Sequence, residues 1–178
     1  MLFTVFVALA LADDVTSARE TAYARVPLAQ KIAADPVLQQ AIVARNRTVE
    51  TADEIQRRDE EWIKNPGYAL RKQLTQNECA ARLKALVRDD AFVVEAFLMD
   101  ERGGIVCSTV ETQDYWQGDE AKWKKTYGEG KAVFLDEPAL DTNTGTFAVQ
   151  LSVVVSKASQ KIGALTLTLK VPRSAIKR

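Results

Sequence analysis

The chain has 178 residues, 47% apolar and 27% charged, which suits one soluble globular domain with a real core and is short for two. Lys plus Arg and Asp plus Glu number 24 each, so no net basic field marks a nucleic-acid partner. Histidine is absent, which removes the commonest general base, the usual catalytic triads and the usual zinc ligands together.

Leu2 to Ala12 is an uncharged apolar run ending Ala10-Leu11-Ala12 before Asp13-Asp14. A helical membrane span needs about 20 apolar residues, so this run does not predict one. It matches the apolar core and small-residue cleavage site of a secretory signal, although no Lys or Arg precedes it. The competing reading is an apolar helix end packed on the domain. The expectation is a signal peptide over 1–12, cleavage after Ala12 and a periplasmic product. No cysteine follows the cleavage point to carry a lipid.

Residues 13–178 then form a single domain, helical over 13–89 and sheet-forming over 90–171. Val15, Ala18, Ala22 and Val26 recur at helical spacing, and Pro27 interrupts or restarts that helix. Asp35-Pro36 reads as a cap and first helical position for a helix to about Ala44. Thr51 and Glu54 have capping-box spacing for a helix that reaches Trp62 and stops at Asn65-Pro66-Gly67. Thr75 and Glu78 repeat the spacing, predicting a fourth helix with Cys79, Leu83, Leu86 and Val87 on its buried stripe.

After Asp89-Asp90 the period changes to two. Ala91–Asp100 is apolar on both faces and so predicts a central strand. Arg102-Gly103-Gly104 turns it into a second strand, Ile105–Thr109. A third strand is expected over about 132–136. Asp141–Gly145 is then the hairpin loop to a fourth, Thr146–Ser156, and a turn near Ser159 leads to a fifth, Ile162–Val171. In the last two strands Phe147, Val149, Leu151, Val153 and Val155 share a face, as do Leu165, Leu167, Leu169 and Val171. That face is a bed for the helices. The opposite face carries Thr146, Ala148, Gln150 and Ser152, then Ala164, Thr166 and Thr168. It reads as the floor of a polar cavity, or as a solvent face rich in β-formers.

Between the second and third strands lies the densest stretch of the chain, Thr112 to Gly128. Asp114-Tyr115-Trp116-Gln117-Gly118-Asp119-Glu120-Ala121-Lys122-Trp123 holds two of the three tryptophans, three carboxylates and a lysine. Two readings fit. Gly118, Asp119 and Glu120 suit a helix start with Trp116 and Trp123 as its packing face. Aromatic walls with a few charged groups also suit a small-molecule pocket. The pocket reading expects Tyr115 or Trp116 to point toward Gln150, Ser152 or Thr166.

This ten-residue motif resembles the signature of a stand-alone, exported proteobacterial branch of the Cache (PDC sensor) family. Ala33-Ala34-Asp35-Pro36 with Ala41-Ile42, Asp59 with Trp62, Phe97-Leu98-Met99-Asp100 with Gly103, and Gln150 with Val153 and Ile162-Gly163-Ala164 extend the resemblance over about 20–171. It implies an α+β fold, N-terminal helices followed by a five-stranded antiparallel PAS-like sheet with a helical insertion between strands 2 and 3. It also implies a small-metabolite pocket and a role in signal transduction. The arginine with which amino-acid-binding members grip the ligand carboxylate is missing from this motif. No apolar span follows Val171, so the expectation is a module without an attached transmembrane segment.

The expected site is Asp114, Tyr115, Trp116, Asp119, Lys122 and Trp123 with Gln150, Ser152 and Thr166, and a cationic or amine ligand is favoured. The alternative is a dimeric envelope interaction or adaptor protein paired through its N-terminal helices, with charged runs such as Glu50–Lys64. No nucleophile–base pair is visible, so no enzyme and no cofactor is expected. Asp136, Glu137 and Asp141 match no calcium-loop spacing, so no metal is expected. In an oxidising compartment a Cys79–Cys107 disulfide is expected, against two buried free thiols.

Overall fold

The computed structural model describes residues 2–176, with side chains from Ala12 to Ile176. Six helices come first: α1 Leu2–Tyr23, α2 Val26–Ala33, α3 Pro36–Asn46, α4 Ala52–Lys64, α5 Ala69–Gln76 and α6 Glu78–Val87. Strands β1 Val93–Met99 and β2 Ile105–Ser108 follow, then a short α7, Ala121–Trp123, running into a π-helical turn, Lys124–Gly128. Four more strands complete the chain: β3 Val133–Leu135, β4 Ala139–Asp141, β5 Thr146–Lys157 and β6 Gln160–Pro172. The backbone of the apolar N-terminal run is helical, while its side chains up to Leu11 lie outside the described residues. No helix among the described residues is long and apolar enough to cross a membrane.

The helix boundaries follow from capping chemistry. Pro27 sits in the first turn of α2, where its missing N–H costs nothing. The Asp35 carboxylate accepts from the N–H groups of Val37 and Leu38 to open α3, and Arg82 of α6 bonds its other oxygen at 2.7 Å. Thr51 and Glu54 form the full capping box of α4. The Thr75–Glu78 box expected from spacing does not form. Asn77 is the cap, accepting from Ala80 N at 2.8 Å, and Thr75 instead ends α5 with its hydroxyl on the Arg71 carbonyl. Asn77 immediately precedes α6 and so reaches its free N–H groups, and α5 is a helix the sequence reading missed.

The sheet is antiparallel in the PAS-like order β2-β1-β6-β5-β3, with β4 pairing the first part of β5 beside β3. β1 is central, as its two apolar faces require. The loop before β5 joins it to β4, not directly to β3, so the sheet has six strands where five were expected. At Gly163 a Cβ would lie 2.1 Å from the Met99 carbonyl oxygen, so β1 and β6 can approach there only over glycine.

Two apolar clusters flank the sheet. The larger joins α1, α2, α3 and α6 to Phe147, Leu151, Leu165 and their neighbours, the predicted oily face. The second lies on the opposite face, where Phe97, Met99, Ile105 and Ala164 meet Ile55 and Trp62 of α4 and Tyr115. Cys79 of α6 and Cys107 of β2 are joined by a disulfide, with Cα atoms 5.9 Å apart, tying the helical layer to the sheet edge.

Candidate functional site

Strand register builds the floor of the site. Glu95 pairs with Thr168 and Thr168 with Gln150, so β1, β6 and β5 present one polar row on one face. In the next row Phe97 pairs with Thr166, Thr166 with Ser152 and Ser152 with Phe134. The Thr168 hydroxyl donates to Glu95 at 2.7 Å. Ser152 and Thr166 are fully buried and bond each other at 2.9 Å, away from the cavity lining.

The 112–128 segment lies over this floor, and α7 and the π-helical turn pack against β5. Between segment and sheet is a cavity of about 430 Å³ lined by Asp114, Gln117, Glu120 and Lys122 above and by Glu95, Phe97, Gln150 and Thr168 below. Glu111, Thr112 and Gln113 form its rim. The Gln117 amide donates to the Asp114 carboxylate. The Lys122 ammonium donates to Glu120 at 2.5 Å and stands 5.4 Å from the centre of the Phe97 ring.

Of the four lining carboxylates Glu111 pairs with Arg71 at 2.7 Å, which leaves Glu95, Asp114 and Glu120 facing the ammonium of Lys122. Burial raises the Asp114 carboxyl, and repulsion from Glu120 and Asp59 raises it further against the pull of Lys122, to about 6. A positive charge brought beside it reverses the repulsion.

Of the residues expected at the site, Asp114, Lys122 and Gln150 line this cavity; Ser152 and Thr166 lie buried beside it in the sheet. The aromatic residues are placed elsewhere. Tyr115 is 1% exposed, its ring 6.1 Å from that of Trp62, and its hydroxyl accepts from Arg45 at 2.6 Å. Its neighbours Arg45, Glu50 and Asp100 form a buried ionic cluster behind the motif. Trp116 and Asp119 line a second cavity, about 540 Å³, with Ile55, Asp59 and Arg102. Trp123 packs on Tyr127 at 5.2 Å and donates its indole N–H to the Asp100 carbonyl.

The expectation that Tyr115 or Trp116 faces Gln150, Ser152 or Thr166 is therefore corrected. Both rings cover the Met99–Ala164 end of the same sheet face, where the floor is apolar. Asp59 fixes them there, because one carboxylate oxygen accepts from both Tyr115 N and Trp116 N at 2.8 Å. Trp62 supports the same segment by donating to the Thr112 carbonyl at 2.9 Å.

The second cavity is the weaker candidate. Asp59 spends an oxygen on two backbone N–H groups, the Trp116 indole N–H is bonded to the Arg102 carbonyl, and Ala52, Gln56 and Asp119 are exposed. Its polar atoms are largely occupied in holding the motif. In the first cavity the bonded pairs, Lys122 with Glu120, Gln117 with Asp114 and Thr168 with Glu95, lie between side chains on the cavity wall.

The sequence reading missed Glu95 and Phe97 as lining residues, while Thr168 already stood on the expected floor and Gln117 and Glu120 within the motif. The signal for Glu95 was present: it is a carboxylate midway along a strand otherwise apolar on both faces. Adding β1 to the hydroxyl-rich face of β5 and β6 would have placed it beside Thr168.

The chain matches no protein-family model and no curated protein. Among solved structures it is similar to the ligand-binding domain of the Pseudomonas aeruginosa PAO1 amino acid chemoreceptor PctC in complex with GABA, at 16% identity and TM-score 0.45 over 90% of this chain and 59% of that one. It is also similar to the sensor domain of the V. cholerae histidine kinase DctB, at 14% identity and TM-score 0.48 over 99% and 59%. A third is the ligand-binding domain of the Pseudomonas fluorescens chemoreceptor CtaA in complex with L-serine, at 15% identity and TM-score 0.42 over 95% and 60%. The chain thus spans about three fifths of the length of the solved sensor and receptor domains it is similar to.

Proposed function

We propose that this chain is an exported, Cache-like sensor module that holds a small amine between the 112–128 segment and the sheet. The observation that carries the reading is the convergence of Glu95, Asp114 and Glu120 on one cavity of about 430 Å³, opposed there by a single lysine, while Glu111 at the rim pairs with Arg71. A carboxylate excess beside an aromatic ring suits an ammonium group, through direct ion pairing and cation–π attraction. Gln150, Gln113 and Thr168 add neutral groups that would fix the orientation of the rest of the ligand. The role is binding, not catalysis, since carboxylates, amides and hydroxyls line the cavity with no nucleophile set beside a base. Export follows from the Leu2–Ala12 run, and mass spectrometry of the protein from its native host should give a mature chain beginning at Asp13.

A thermal-shift screen of small amines, amino acids and carboxylates tests the site. A ligand at 100 times its dissociation constant stabilises by about 2.7 kcal/mol, which for a chain of this size raises Tm by roughly 5–10 °C. Gln150→Leu should abolish the shift given by any hit, and Trp116→Ala should keep it. The reverse pattern would move the ligand to the second cavity and overturn this assignment.

A further inference from the structure

We propose that Lys122 is a built-in occupant of the cation subsite, and that a ligand ammonium binds by exchanging with it. This rests on the amine reading of the cavity given above. Lysine is almost never fully buried, because its stem normally lets the charged end reach water. Lys122 is 6% exposed, and its ammonium turns inward to Glu120 and the Phe97 ring. A primary ammonium held by a carboxylate and an aromatic face is the arrangement in which a small amine would be recognised. The cavity therefore already holds the chemical group of its ligand, tethered to its own wall.

The attachments of Lys122 suit an exchange of the side chain alone. Its ammonium has one ion-pair partner, Glu120, which is itself part exposed. Its backbone is held separately, by the buried Thr126 hydroxyl on the Lys122 carbonyl at 2.5 Å. The stem can swing toward solvent while the segment stays in place. A free ammonium then inherits Glu120 and Phe97, and a second cationic group on the same ligand reaches toward Asp114 on the same wall or Glu95 on the floor. The ligand class that gains most is a short diamine.

Calorimetry on the full chain tests the exchange, using 1,4-diaminobutane, butylamine, butanoate and 4-aminobutanoate as probes. The proteins are wild type, Lys122→Met, which keeps the apolar stem, and Lys122→Gln, which guards against a packing defect in the first variant. Removing the internal competitor should tighten both amines by about tenfold or more in each variant, the worth of one charge-assisted hydrogen bond. Weaker amine binding in the variants would make Lys122 a ligand anchor and overturn the exchange. Unchanged affinity, or no amine binding to any of the three proteins, overturns it as well. Butanoate binding that Gln150→Leu abolishes would refute the exchange while leaving the cavity as the site. A ligand from the wider screen that binds regardless of Gln150 removes the cavity reading itself.

Discussion

Replacing Asp114 by Asn should stabilise the ligand-free protein near neutral pH, and the effect should vanish in acid. The Asp114 carboxyl is raised from 3.8 to about 6, first by burial and then by Glu120 and Asp59. A carboxyl whose folded value exceeds its unfolded one binds more protons when folded, so ionising it costs stability as pH rises through the window between the two values. Below about pH 4 the cost is absent, and above about pH 6 it is complete. Two units at about 1.36 kcal/mol each give close to 3 kcal/mol. Asp114 is only half-buried, and solvent screening reduces this to about 1–2 kcal/mol. Asn keeps the oxygen that accepts from Gln117 and removes the charge. Thermal unfolding across pH 4–8 should show the variant and wild type together at pH 4. They should diverge to about 3–6 °C in favour of the variant above pH 6. Parallel curves over the whole range would refute the assignment of a raised carboxyl to Asp114.

Two further outcomes follow from the same structure. Changing Cys79 and Cys107 to Ser should lower stability by about 3–4 kcal/mol, the loop-entropy value for a 28-residue separation; thiol titration of the denatured, unreduced wild type should find no free thiol. Amine binding should release protons between about pH 4 and 6, because a cation beside Asp114 draws its carboxyl back toward the ordinary range. Calorimetry in buffers of different ionisation enthalpy measures the release, and proton uptake instead would indicate an anionic ligand.

Most of the fold was legible because it rests on local rules. Asp35, Thr51 and Pro27 act through one turn of backbone, and the alternation of Phe147 to Val155 against Thr146 to Ser152 assigns strand faces without knowledge of the partner strand. The failures were of two kinds. Thr75 and Asn77 both had capping chemistry within two residues, and spacing alone did not choose between them. In the site, Tyr115 and Trp116 were read as ligand walls because aromatic side chains suit a pocket and a core equally well. Their destination is set by Asp59 and Trp62, more than fifty residues earlier, and no period within the motif encodes that contact. Lys122 was legible as the one basic residue of the motif, but its inward direction was not.

The composition of the motif follows from the two halves of the floor it covers. One end of the sheet face is apolar at Met99, Ile105 and Ala164, and the other is polar at Glu95, Gln150 and Thr168. A covering segment that was wholly aromatic would shut Glu95 from water with the Thr168 hydroxyl as its one bonded partner. One that was wholly polar would leave Met99 and Ile105 against water. The segment divides the work along its length: Tyr115 and Trp116 seal the apolar end, while Asp114, Gln117, Glu120 and Lys122 face the polar one. The seal also limits motion. With Tyr115 buried, its hydroxyl on Arg45 and its N–H on Asp59, the first part of the segment is fixed to α3 and α4. From Glu120 through the π-helical turn the backbone is held as well, by Thr126 on the Lys122 carbonyl and by the Trp123 indole on Asp100, so the element left to answer a ligand is the Lys122 side chain, whose displacement exchanges one ion pair for another.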